Sequence, residues 1–414
     1  MGFPRLPPRH SREVHMFRTF AAMAVFAVTT FSYAESTLRA AVDRAAERDP
    51  DTRTFTARIA EGRAREHASR SLTPGAPALW IGSRRDNTLL DRQLGKSEYE
   101  AEIEIPLWLP GQRAAARASA AAQEETFRMN AELARWIVAG AVRDQVWATA
   151  LDRADVAVSR RRLEVATSIE GDVAKRLKAG DVARGDLLQA QSETLSARSV
   201  LADAELRYRR SLAHWTALTG FDELPARYEE GVQIAIPLER HPRLAARRAA
   251  VAAARAEVDA VDKFSRDAPT LSLQNRTDRD ITGGDVRNTV RINVRIPFAT
   301  EARNLPRTSA AQAVLTQALT LEQRERVLLA ADVETARLTL ETAVAQHEIA
   351  RERDAHSREA LRLARRGFTQ GETPYMAVLL ALARSVDAET AFARSDISVK
   401  LSRARFNQAR GNLP

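Results

Sequence analysis

The chain carries the same series of landmarks twice, about 191 residues apart, and this duplication limits its possible folds more than any other feature. Because chance would not hold one spacing over so many landmarks, we predict two equivalent halves, each containing the same elements in the same order. The spacing is 192 residues for the earlier landmarks and 191 for the later ones, which a single one-residue insertion or deletion explains. The landmarks 192 residues apart are RDP (48–50) with RHP (240–242) and Pro77 with Pro269; those 191 apart are Pro106 with Pro297, Gly180 with Gly371, and Gly220 with Gly411.

Each half is predicted to hold an opening helix, two strands, a very long helix, a glycine-containing turn and a shorter return helix. Apolar periodicity places the strands near 77–84, 97–107, 269–276 and 288–299. The long helices are predicted over about 112–178 and 304–368, each ~100 Å long, and the return helices over 183–218 and 374–410. Opening helices are predicted over about 38–68 and 242–264. The predicted fold class is therefore mainly α with a small β part.

The N-terminus predicts export. Four arginines (Arg5, Arg9, Arg12 and Arg18) precede the apolar run FAAMAVFAVTTF (20–31), and SYA (32–34) supplies the small residues of a cleavage site. The run is too short for a membrane anchor, because a spanning helix needs ~20 apolar residues. The predicted boundaries are a signal peptide over 1–34, a first repeat over 35–220, a connecting segment over 221–241 and a second repeat over 242–414. Both Met1 and Met16 remain possible starts.

Composition excludes several classes of function. The chain has no cysteine, which excludes thiol catalysis and thiolate metal sites. Its seven histidines are scattered, no catalytic or phosphate-binding motif is present, and no enzyme activity, metal site or cofactor is predicted. The net charge is +9, yet the arginines are interspersed with acids along the helices, which favours solvated helix faces over nucleic-acid binding.

The strands alternate apolar side chains with charged or polar ones. In an exported protein this pattern predicts outer-membrane strands, with the apolar face towards lipid and the other face towards a watery lumen. Four strands cannot close a barrel, since about eight are the practical minimum, so several chains must share one. The residues predicted to face the lumen are Glu100, Glu102, Glu104, Arg291, Asn293 and Arg295.

Two segments carry a resemblance to a known family. IPLWLPGQR (105–113) leads from a strand into a long helix, and RLKAGDVARGDLLQAQ (176–191) forms the turn between helices. With the duplicated plan, they resemble the TolC-like outer-membrane factor family over about residues 36–412. The chain is most similar to the cation-efflux branch typified by the outer-membrane subunit of the cobalt–zinc–cadmium exporter.

The resemblance implies a homotrimer whose 12-stranded barrel in the outer-membrane lipid continues into a periplasmic α-helical barrel. It also implies an exit duct for heavy-metal cations that works with a periplasmic adaptor and an inner-membrane resistance-nodulation-division pump. The turns at 176–184 and 366–375 would meet the adaptor. The candidate docking residues are Arg176, Gly180, Asp181, Arg365, Arg366, Gly371 and Glu372.

One departure from the family concerns the tunnel constriction. Members of the family commonly carry an acidic pair shortly after the second turn, where this chain has Ala377 and Leu380. The first half keeps an acid, Asp186, at the position equivalent to Ala377. An acidic ring at the usual place is therefore in doubt.

Drug or small-molecule efflux, type I protein secretion and a periplasmic adaptor or coiled-coil protein remain alternatives.

Overall fold

The computed structural model describes residues 37–85, 96–280, 285–298 and 301–414. The predicted signal peptide lies outside these residues. Within them the chain forms seven α-helices and four β-strands, so the prediction of a mainly helical fold with a small sheet is confirmed. The elements are α1 (Leu38–Arg48), α2 (Pro50–Ser69), β1 (Ala78–Arg85), β2 (Lys96–Pro106), α3 (Gln112–Lys178), α4 (Arg184–Thr219), α5 (Pro242–Lys263), β3 (Thr270–Asp280), β4 (Arg287–Arg295), α6 (Glu301–Gln370) and α7 (Tyr375–Ala409).

The first opening helix is broken, and the prediction of one continuous helix over 38–68 was wrong. Asp49 ends α1 and caps α2: its carboxylate accepts hydrogen bonds from the backbone N–H of Thr52 at 2.8 Å and from the Thr52 hydroxyl at 2.9 Å. Pro50 follows as the first residue of α2. Proline suits that position but disfavours helical backbone in the residue before it, so Asp-Pro starts a new helix.

The long helix α3 contacts different partners along its length. Near its start, the Thr126 hydroxyl donates to the carbonyl of Ala249 in α5, and Glu124 pairs with Arg63 of α2. Further along, Arg162 pairs with Glu193 of α4. Many of its buried positions are alanine or valine, and small side chains allow helix axes to approach closely.

Two apolar clusters stabilise the helical layer. The larger lies where α1, α3, α4 and α7 meet, around the fully buried Trp147 and Trp215. The smaller lies near the ends of the long helices, around Val173, Phe368 and Tyr375. Among the described helices, none combines the length and apolar character that crossing a membrane would require.

The four strands form one antiparallel sheet in the order β1-β2-β3-β4. Trp80 pairs with Glu102, Glu102 with Gln274, and Gln274 with Arg291, which defines one row across all four strands. Side chains directly opposite in a sheet point to the same face. The pairing therefore fixes which residues of separate strands share a face.

Candidate functional sites: the charged sheet face and the helical turns

The six residues predicted to face a lumen all lie on one face of the sheet. Glu102 and Arg291 share a row, Glu104 and Asn293 share the next through Ser272, and Glu100 and Arg295 follow by alternation. We call this side the charged face. The opposite side, the apolar face, carries large exposed side chains: Leu79, Ile81, Tyr99, Ile103, Leu273, Val290, Ile292 and Val294.

Sequence reasoning missed Arg276, the residue that organises the charge on this face. It lies on β3 opposite Glu100, and its guanidinium pairs with Glu98, with Glu100 at 3.6 Å and with Asp278 at 2.8 Å. The alternation in SLQNR (272–276) could have placed Arg276 on a polar face, but only the pairing of β3 with β2 puts it against the acids. The basic residues of β4 do not adjoin the acidic row, because β3 lies between them.

The two predicted turns both end a long helix with a left-handed glycine. Gly180 and Gly371 each have φ of +83°. The N–H of the residue after each glycine returns to a carbonyl five residues earlier, Asp181 to Arg176 and Glu372 to Gly367, both at 2.9 Å. These bonds satisfy carbonyls that a helix end leaves unpaired, and glycine adopts the required φ without a Cβ penalty.

Two of the candidate docking arginines are occupied by contacts within the chain. Arg176 donates to the carbonyl of Phe368 and lies over its ring at 4.7 Å, so it joins the two turns. Arg365 donates to the Ser168 hydroxyl at 2.9 Å and pairs with Asp172 at 3.2 Å. These contacts give both arginines a structural role.

The remaining docking candidates are exposed. Asp181 is about half exposed and lies 3.7 Å from Arg176, whereas Arg366 and Glu372 are exposed and form no ion pair with the described residues. Three further cations at the turns are likewise exposed and without an ion pair to the described part of the chain: Lys175, Lys178 and Arg184. None of these three was among the predicted docking residues, because the sequence does not show which charges at the turns form ion pairs.

At the expected constriction, the chain presents few free acids. Ala377 is half-buried and Leu380 is 53% exposed. Asp186 accepts a hydrogen bond from the N–H of Ala183 at 3.2 Å, which places it in the cap of α4. Tyr375 is buried beside α4, and burial, with the charges of nearby acids led by Glu193, raises its pKa to about 12. No group of three or more His, Asp or Glu side chains among the described residues could hold a metal ion.

Comparisons with known proteins match the second half of the chain to one family. Residues 234–412 match the model of the family described as outer membrane efflux protein. The match is a likeness between this family and the second half of the chain. By its description, the family consists of outer-membrane proteins that act in efflux.

One curated protein matches about half of the chain. The protein CyaE of Bordetella pertussis is 28% identical over 215 residues, which are 47% of this chain and 44% of CyaE. The match therefore spans less than half of that relative's length.

Solved structures share the fold. A membrane protein from Pseudomonas aeruginosa has a TM-score of 0.75 at 20% identity, with 91% of this chain and 90% of that one covered. CusC, described in connection with transmembrane channel formation, has a TM-score of 0.75 at 15% identity, covering 91% and 92%. The CmeC outer membrane channel of Campylobacter jejuni has a TM-score of 0.73 at 16% identity, covering 90% and 85%.

Proposed function

We propose that the chain is a duplicated protein whose trimer forms the outer-membrane exit duct of a tripartite export system. The observation that carries the proposal is a four-stranded sheet with one charged face and one apolar face. Its edge strands are β1 and β4. Each has one edge unpaired with any described strand. Such edges are templates for pairing with another chain.

The strand directions suit closure by three copies. Because all neighbours are antiparallel, β4 of one copy runs opposite to β1 of the next and can pair with it in the same manner. Three copies of four strands give twelve, which exceeds the practical minimum of about eight for a barrel. The apolar face would then contact lipid and the charged face would line the pore.

The helical part would continue the duct into the periplasm and end at the two glycine turns. There the exposed cations Lys175, Lys178, Arg184 and Arg366 offer a basic surface to a periplasmic adaptor, which would link the duct to an inner-membrane resistance-nodulation-division pump. Gly180, Gly371, Asp181 and Glu372 shape this surface. Arg176 and Arg365 support it from within.

Heavy-metal cations are the first candidate cargo. Support comes from the resemblance to the cation-efflux branch and from Glu102 and Glu104, whose carboxylates form no ion pair with the described residues. Efflux of organic small molecules is the second candidate, favoured by an exposed tryptophan on the same face, Trp80. Cells lacking the gene should become sensitive to zinc, cobalt and cadmium if the first candidate holds, and to cationic dyes if the second does.

Fractionation of cells that express the full chain tests the duct itself. The proposal expects the mature protein in the outer membrane, extracted by detergent as a particle of three times the chain mass. A soluble monomer or dimer in the periplasmic fraction would contradict the duct and favour an adaptor or coiled-coil protein. Light scattering combined with absorbance and refractive index gives the protein mass separately from that of the detergent belt.

A further inference from the structure

Trp80 is a large aromatic side chain on the charged face. It lies on β1 directly opposite Glu102 and is 51% exposed. The other large apolar residues of β1, Leu79 and Ile81, point to the apolar face, where lipid contact would explain them. Lipid contact does not explain Trp80.

The backbone of β1 makes room for the indole. A Cβ placed on Gly82, the next residue on the same face, would lie 2.3 Å from Cη2 and 2.8 Å from Cζ2 of Trp80. The six-membered ring therefore lies over Gly82, in space that any other side chain would fill. Gly82 has an ordinary φ, so the glycine is needed for this close approach and not for a turn.

The acid directly opposite Trp80, Glu102, forms no ion pair with Arg276. Glu98 and Glu100 both pair with Arg276, whereas Glu102 forms no ion pair with the described residues. Across the sheet, Glu102 faces the neutral Gln274. Arg291 comes two strands further along the row, at ~10 Å given a strand spacing of ~4.8 Å. An indole ring and an uncompensated carboxylate thus adjoin on one face.

We infer that Trp80 and Glu102 form a wall subsite for organic cations that carry a quaternary ammonium group. An indole attracts such a cation through its negative ring face, and tryptophan is the best side chain for this contact. The carboxylate supplies the opposite charge at the distance of a directly paired cross-strand neighbour, about 5 Å between Cβ atoms. The inference rests on the proposed function, because it requires the charged face to line a pore.

Blockade of the open channel tests the subsite. Purified protein is reconstituted in a planar lipid bilayer, and benzyltrimethylammonium is added while single-channel current is recorded. The wild type should be blocked reversibly, and W80L should require about two- to fivefold more blocker, the range expected for an exposed cation–π contact. W80F should retain part of the block, since a phenyl ring keeps a weaker π face.

Substitutions of two acids on one strand separate a specific contact from general charge. E102Q should weaken the block, whereas E100Q, on the same strand and face but engaged by Arg276, should not. Equal block in the wild type, W80L and E102Q would overturn the subsite, as would equal weakening by E100Q and E102Q. Absence of channel conductance in the wild type would instead overturn the proposed function, so the two failures are distinguishable. If W80L does not assemble, the block measured in W80F, E102Q and E100Q still tests the subsite.

Discussion

Arg143 and Glu230 form a two-bond ion pair in the protein interior. Nε and Nη2 of Arg143 each lie 2.8 Å from a Glu230 carboxylate oxygen, and the two side chains are 1% and 8% exposed. Arg143 also donates to the carbonyl of Asn412 at 2.9 Å. The middle of α3 is thereby tied both to the segment that connects the two halves and to the C-terminal residues.

Removing one partner of this pair should destabilise the protein strongly. We expect R143M to lower the free energy of unfolding by ~3–5 kcal/mol, because Glu230 would remain as a buried, unpaired charge. The double variant R143M/E230M should recover much of the loss, since it leaves no buried charge. Guanidinium chloride unfolding followed by near-ultraviolet circular dichroism measures both variants. A double variant no more stable than R143M would show that the stability comes from the pair itself.

His241 should make the helical part less stable in mild acid. Its side chain is buried and caps α5 by accepting a hydrogen bond from the N–H of Arg243 at 3.2 Å. Burial, together with the charge of Arg243, lowers its pKa from 6.5 to about 4. Between these two values the unfolded chain binds a proton that the folded chain does not, so stability falls as the pH drops from 6.5 towards 4.

The variant H241N isolates this effect, because asparagine can still cap the helix but does not titrate. We expect the difference in unfolding temperature between pH 7.5 and pH 4.5 to be smaller in H241N than in the wild type. An unchanged difference would assign the acid sensitivity to other groups.

The two faces of the sheet should respond differently to adjacent substitutions. Ile103 lies on the apolar face, and arginine there should cost ~2–4 kcal/mol if the position meets mid-bilayer lipid. Replacing its neighbour Glu102 with leucine should leave folding intact and change conductance. The fraction of heat-resistant oligomer on a denaturing gel compares the two. Equal losses of oligomer would refute the assignment of the faces.

Valine at both turn glycines should separate folding from docking. Each substitution forces an L residue into the left-handed region, at ~1–2 kcal/mol per site, but neither Gly180 nor Gly371 has an atom within 3.6 Å of an added Cβ. The trimer should therefore assemble while export is lost. Gly185 is the matched control, since it lies in α4 with an ordinary φ and open space around it. Normal export by G180V/G371V would contradict docking at the turns, and loss of the trimer would show that the turns serve folding.

The sequence was informative wherever one local pattern decides the structure. Alternation in SEYEAEIEIP (97–106) predicts a strand with two unlike faces, and glycines after long charged helices predict the turns. The Asp49-Pro50 pair also signals a helix break. The prediction overlooked it because the apolar periodicity continues on both sides. Contacts between distant segments were not legible. Arg276 reaches Glu98 across 178 residues, and Arg176 reaches Phe368 across 192, so their partners follow only from strand order and helix packing.

Conductance of the purified mature protein in a planar lipid bilayer tests the central claim most directly. The account predicts discrete, long-lived current steps, with a reversal potential in a salt gradient that moves towards anion selectivity in E102K/E104K. A matched variant with lysine at Ala101 and Ile103, two positions of the apolar face on the same strand, should instead lose assembly. A trimer that inserts but passes no current, or a reversal potential indifferent to the charges at 102 and 104, would contradict a pore lined by the charged face.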